Sequence, residues 1–320
     1  MVDTLVKAGP AVSAGPAPAR RRPRDARGAL LIWAFAGPAL LVYAGFVLLP
    51  VVLAAVYSFF NWNGLSELDR FIGFDNYVRA ITDPVFQNAI VHNLAIVALS
   101  LLVQGPLAIL LALLLNRPLR GRTLIRTLIF VPYVLSEVVA GLSFKLLLPP
   151  DGPVDSLLTA LGWAGDKPNW LADPDFAFWT LFVVLTWKYL GFAIILMLAG
   201  LQGVPEELGE AAAIDGASWW QIQRHITLPL LGPTIRIWAF LSVIGSLQLF
   251  DMVRILTNGG PVNATATMAT YMVDYGNGRG QVGYGSAVAV ILFVISLVIA
   301  LLYQRFVLRR DLAGAITRGT

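Results

Sequence analysis

The chain has 320 residues, 57% of them hydrophobic and 13% charged, with no cysteine. A mean hydropathy of +0.72 is more apolar side chain than one soluble core can hide, so the bilayer is the expected solvent, and disulfides, thiolate metal sites and cysteine chemistry are excluded. The net charge of +4 comes from arginines flanking apolar runs and requires no nucleic-acid partner.

Residues 1–28, rich in Pro, Ala and Arg, read as a disordered basic tail on the cytoplasmic side. Six segments then meet the length of about 20 apolar residues that a spanning helix needs: Ala29 to Phe59, Asn88 to Leu115, Leu124 to Leu148, Phe176 to Leu201, Ile237 to Leu256 and Tyr284 to Leu308. All should be helical, because hydrocarbon offers backbone polar groups no partner. The first run is too long for a cleaved secretory signal and lacks an Ala-x-Ala-like end. Arg20, Arg21, Arg22, Arg24 and Arg27 precede the first span, Arg117, Arg120, Arg122 and Arg126 separate the second from the third, and Arg305, Arg309 and Arg310 follow the last. The positive-inside bias therefore puts both termini, including a tail over 311–320, in the cytoplasm. The loop between spans three and four carries Asp151, Asp155, Asp166, Asp173 and Asp175 against Lys167, as an external loop can.

Six spans with both ends inside also place residues 204–229 in the cytoplasm. Pro205 suits a first helical position, Glu206 and Glu207 suit the positive end of the helix dipole, Gly216 suits a left-handed stop and Ser218 an N-cap for a second helix through Thr227. Pro229 is expected to break the pattern before span five. By itself this could be an interfacial amphipathic helix with Trp219 and Trp220 at the headgroups. Glu210-Ala211-Ala212, then Asp215-Gly216-Ala217, then Ile226-Thr227-Leu228-Pro229 is, however, similar to the "EAA" loop of the permease subunits of binding-protein-dependent ABC importers. The resemblance implies an all-α integral membrane protein with six transmembrane helices in the type I importer permease fold, set in a bacterial inner membrane. It makes residues 29–310 the permease domain and the EAA segment a coupling helix seated on an ATP-binding subunit.

Ser58-Phe59-Phe60-Asn61-Trp62, Ile72-Gly73-Phe74-Asp75-Asn76-Tyr77, Trp187-Lys188-Tyr189-Leu190-Gly191-Phe192 and Leu256-Thr257-Asn258-Gly259-Gly260-Pro261 resemble the carbohydrate branch of that family. The extra N-terminal spans and large external domain of its maltose-type member are missing. Polar groups at membrane depth are costly and therefore functional candidates: Tyr133 and Glu137 one turn apart in span three, and Ser242, Ser246, Gln248 and Asp251 along span five. The maltose-type pattern implies that Tyr133, Glu137, Trp187, Leu190, Gly191, Ser242, Ser246 and Leu249 fall at or beside sugar-contacting positions. Each polar candidate has a plainer alternative: the serines bonding to backbone or a neighbouring helix, Glu137 pairing with Lys188, and Asp251 pairing with Arg254.

No Gly-Lys dipeptide occurs, so a phosphate-cradling GxxxxGK[ST] loop is missing and the chain is not its own ATPase. Gly278-x-Gly280-x-x-Gly283 matches the dinucleotide fingerprint but leads into a span, and reads as a turn. The resemblance implies four kinds of partner: a second homologous permease, two ATP-binding ABC subunits, an extracellular sugar-binding protein and the lipid. It implies no cofactor beyond the ATP and Mg of the ATPases. The alternatives are a glycerol-phosphate permease, for which Lys188 is the one candidate cation, and an ion-coupled secondary transporter, which would typically show internal repeats.

Overall fold

The computed structural model describes residues 26–117 and 121–308, with side chains over 33–117, 121 and 123–307. The basic residues 1–25, Arg120, Arg309, Arg310 and the tail over 311–320 lie outside the described residues. The chain divides after Val52 into two compact units. Within the first, residues 26–52 are helical, with a π-turn at Ala44–Leu48, and none of the described side chains is buried.

Five helices are long and apolar enough to cross a bilayer: Trp33–Tyr57, Pro84–Leu115, Pro174–Leu201, Trp219–Leu247 and Val282–Val307. A sixth span consists of Thr123–Val134 and Glu137–Leu147, bent by 98° at their junction. Two spans begin on an Asp-Pro pair. The Asp83 carboxylate accepts from the Val85 and Phe86 amides at 2.8 and 3.2 Å, Asp173 accepts from Asp175 at 2.9 Å, and the following proline sits where the missing N–H costs nothing.

Three expectations change. The third span is not one helix, because Leu135 and Ser136 are extended and Ser136 starts a new helix by accepting from the Val139 amide. Leu247 ends the long helix of the fifth span, and a separate short helix, Asp251–Leu256, follows. Pro229 does not interrupt its helix, which runs from Trp219 to Leu247 through a π-turn over Gln223–Thr227. That π-turn ends two residues before Pro229, as Ser100–Gln104 does before Pro106 and Ala44–Leu48 before Pro50. A local π-turn accommodates the proline ring and the backbone groups it frees, so the helix continues.

Buried side chains form three clusters. One joins Ala108 and Ala112 to Ile194, Met197, Leu201 and Leu231. Another gathers Phe86, Leu247, Met268, Tyr271, Tyr284 and Val288. The third packs Ala140 against Leu181, Val184, Leu249, Met252 and Val253. The pieces after the two breaks also meet each other, with Gly141 lying against Ile255. Gly283 of the apparent dinucleotide fingerprint serves close packing, since a Cβ there would overlap the Phe60 carbonyl oxygen.

Candidate functional site

A cleft of about 200 Å³ lies among the second, third, fourth and fifth spans, lined in part by Tyr133, Tyr189, Phe192, Trp238 and Leu249. Each of the two helix breaks places residues on its wall. At the first, helix Arg122–Val134 ends with free carbonyls that need partners. Lys188, from the middle of the fourth span and only 3% exposed, supplies them: its ammonium donates to the carbonyls of Pro132 and Tyr133 at 3.3 and 3.1 Å and to that of Leu135. It also lies 3.9 Å from Glu137 Oε1.

The second break is held by Asn93, which is fully buried. Its amide donates to the carbonyls of Ser246 and Leu247 at 2.6 and 3.3 Å, and its oxygen accepts from the Met268 amide at 2.9 Å. Thr267 Oγ1 donates to the Leu249 carbonyl at 2.8 Å. Tyr133 at the first break thus reaches the cleft from a backbone held by Lys188, and Ser246 and Leu249 at the second from a backbone held by Asn93 and Thr267.

Of the sequence candidates, Tyr133, Ser242, Ser246 and Leu249 line this cleft. Glu137 stands behind it, where Oε1 accepts from the Tyr189 hydroxyl and Oε2 has no partner among the described residues. Lys188 does not line it, because its donors are taken by carbonyls. Trp187 lies edge-on to Phe144 with ring centroids 5.0 Å apart, and Leu190 packs on the first cluster. Gly191 is a contact point between spans, since a Cβ there would overlap the Ile129 carbonyl oxygen. Gln248 and Asp251 are exposed at the second break. The pairing of Asp251 with Arg254 does not form; Arg254 bonds to Asp274 instead.

Several lining residues escaped the sequence reading. Ser100 and Gln104, at the two ends of the π-turn in the second span, are 7% and 6% exposed and face the cleft with Thr186, Ser242 and Ser246. The Thr186 hydroxyl is buried and has no hydrogen-bond partner among the described residues. The signal was present, since Gln104 is an amide in the middle of an apolar run and is costly there for the same reason as Ser246. Around them the rings of Tyr133 and Phe192 stack with centroids 4.9 Å apart. The wall therefore offers aromatic faces to C–H surfaces and hydroxyls and amides to polar groups, which suits a small hydroxylated ligand.

In the Glu210 segment, the helix Glu206–Ile214 is followed by Gly216 at φ +86°, a left-handed conformation that favours glycine. Ser218 starts the next helix, its amide and hydroxyl bonding to Gln221 Oε1 at 2.6 and 2.8 Å. Glu210, Ala211, Asp215 and Gly216 are exposed and Ala212 and Ala217 half-buried. Ala212, Asp215, Gly216 and Ala217 line a shallow notch with His225, and Ile214 is 87% exposed at its side. Leu228 and Pro229 directly follow the π-turn within the long fifth-span helix. Arg117 lies over the Trp219 ring, 4.3 Å from its centroid, and ties the segment to the loop after span two.

Residues 104–311 match the model of a family described as binding-protein-dependent transport system inner membrane component. A probable ABC transporter permease protein of Pyrococcus horikoshii is 35% identical over 268 residues, 83% of this chain and 91% of that protein. The lactose transport system permease protein LacF of Rhizobium radiobacter is 34% identical over 282 residues, covering 87% and 94% of the two chains. Among solved structures, a bacterial alginate ABC transporter in complex with an alginate pentasaccharide-bound periplasmic protein contains a chain that superposes with a TM-score of 0.76 at 27% identity, covering 87% of this chain and 94% of that one. With six apolar spans, an exposed EAA segment and likeness to these permeases over most of its length, the chain belongs to the family of inner-membrane components of binding-protein-dependent transport systems, the permease subunits of ABC transporters.

Proposed function

We propose that this permease forms half of the membrane path of an importer for a di- or oligosaccharide, completed by a second homologous permease, two ATP-binding ABC subunits and an extracellular sugar-binding protein. The observation that carries the sugar reading is the cleft, where Ser100, Gln104, Thr186, Ser242 and Ser246 stand among aromatic rings and the Thr186 hydroxyl is buried without a hydrogen-bond partner among the described residues. Buried polar groups need a partner, and a sugar supplies hydroxyls for the one set and C–H faces for the other. Similarity to a lactose transport system permease and to a chain of an alginate transporter supports the same class.

The partners follow from what the chain lacks and exposes. No phosphate-binding loop is encoded, so ATP and Mg belong to the ATP-binding subunits, and the exposed Glu210 helix is the surface they would grip. The alginate importer was solved with its periplasmic protein, which supports an external binding protein here. The arginines around the first, third and last spans support cytoplasmic termini. A glycerol-phosphate carrier is disfavoured because the one candidate cation, Lys188, spends its donors on three carbonyls.

Reconstitution tests the reading. Co-expressed with a second homologous permease, ATP-binding subunits and a sugar-binding protein, the chain should give ATP-dependent sugar uptake in proteoliposomes, and alone it should give none. Gradient-driven uptake by the isolated chain would replace the ABC reading with a secondary transporter.

A further inference from the structure

The helix Glu206–Ile214 packs chiefly on the helical stretch that follows it, where Gly209 lies against Ile222. A push on its exposed face therefore passes first to the start of the fifth-span helix, which opens at Trp219. The Trp219 ring has neighbours of two kinds. It packs against the apolar cluster that includes Ala112 and Leu115, and the Arg117 guanidinium lies over it, 4.3 Å from its centroid.

Arg117 stands just beyond Leu115, where the second-span helix ends. The same end is held from the third span. Arg126 Nη2 donates to the Leu115 carbonyl at 3.0 Å, which satisfies a free carbonyl of the helix terminus and places positive charge at its negative end. Arg126 and Tyr133 of the cleft wall share the helix Arg122–Val134 and stand about two turns apart. The two arginines thus tie the end of the second span, which carries Ser100 and Gln104 further back, both to the Glu210 segment and to the third span.

The cluster that joins spans two, four and five around this end is apolar, and packed apolar helices slide past one another in small shear movements. A hydrogen bond is directional and weakens steeply once it is stretched or bent, so it carries a displacement that apolar contacts let slip. A bridge with only a structural task would use its buried donors. Arg126 Nε is buried and has no partner among the described residues, as suits a contact that changes acceptors when the helix ends move. Given the reading of the EAA segment as the seat of an ATP-binding subunit, on which the inference rests, we propose that Arg117 and Arg126 are positioning residues for coupling. Through them, movement of the segment reaches these ends of the second and third spans and, along the two helices, the cleft wall.

The test uses the complete transporter in proteoliposomes with ATP, binding protein and whichever of radiolabelled lactose, maltose, cellobiose and raffinose the unaltered complex takes up, and reads uptake and ATP hydrolysis together. Arg117→Ala and Arg126→Ala should each lower the sugar delivered per ATP by at least about fivefold, the low end of a typical coupling between two sites, while hydrolysis stays near its unaltered rate. Arg117→Lys, which keeps a cation over the ring, should recover most of the loss. A fall of uptake and hydrolysis in step, with the ratio unchanged, would show a structural role and overturn the junction, as would unaltered uptake in both alanine variants. Glu210→Lys controls for the underlying reading. If it transports normally, the EAA assignment and the junction fall together; if it is inactive while both alanine variants keep the unaltered ratio, the junction alone falls. Uptake of none of the four sugars by the unaltered complex would remove the sugar-importer reading and the junction with it.

Discussion

The ammonium of Lys188 lies 3.1 Å from the carbonyl oxygen of Tyr133, so a charged side chain of the fourth span closes the open end of a helix in the third. Hydrogen bonds to charged groups typically contribute about 1.5–3 kcal/mol each, and removing one member of a buried pair costs more than the pair contributes. Lys188→Met should therefore lower the thermal midpoint of the purified complex and abolish most transport. Adding Glu137→Gln should recover part of the stability by removing the unpaired carboxylate. An unchanged melting curve for Lys188→Met would show that the break holds without it.

Tyr189 and Glu137 should act as one unit, because the hydroxyl on the cleft wall is oriented by the carboxylate behind it. Tyr189→Phe and Glu137→Gln are each expected to weaken uptake, and the double variant should be less impaired than the sum, with a coupling of about 0.5–3 kcal/mol. Strict additivity in KM across the four transporters would separate the two residues.

Glu210 is exposed, and its side chain makes no hydrogen bond or ion pair among the described residues. Glu210→Lys should leave the stability of the chain within about 0.5 kcal/mol, while sugar uptake and sugar-stimulated ATP hydrolysis are lost together. Normal uptake in this variant would take the EAA segment out of the coupling role.

Gly191 faces a different constraint, since the Ile129 backbone fills the place of its side chain. Gly191→Ala should push the third and fourth spans apart at an overpacking cost of about 1–3 kcal/mol. The expected readout is a lower thermal midpoint together with reduced uptake, and wild-type values in both would mean the two spans separate freely.

The spans and the EAA segment were legible because length and hydropathy, and a run of charged and small residues between apolar ones, are local properties of the chain. The breaks were not. Pro132 and Ser136 stand at the first, yet Pro106 and Pro229 look the same in sequence and sit in continuous helices. What separates them is whether a π-turn absorbs the ring or a distant lysine closes the end. Lys188 drew attention as a costly charge, but its role depends on carbonyls more than fifty positions earlier in the chain. Tyr133 and Ser246 line the cleft, whereas Trp187 and Leu190 share a helix with cleft residues and turn away. Neighbouring positions on one helix do not share a direction, and which of them faces the cavity is fixed by packing.

A π-turn holds one residue more than the α-helical turn it replaces, so the helix beyond it is rotated by about 100° relative to an uninterrupted one. In the second span, the portion before Ser100 packs against the fifth span and the short helix Met268–Val273, and the portion after Gln104 packs against the fourth. Removing one residue between Ser100 and Gln104 would restore an even winding and swing Ala108 and Ala112 away from Ile194 and Met197. Residue number in this stretch is then as much a part of the design as residue identity, and a single-codon deletion there would scramble more contacts than any substitution.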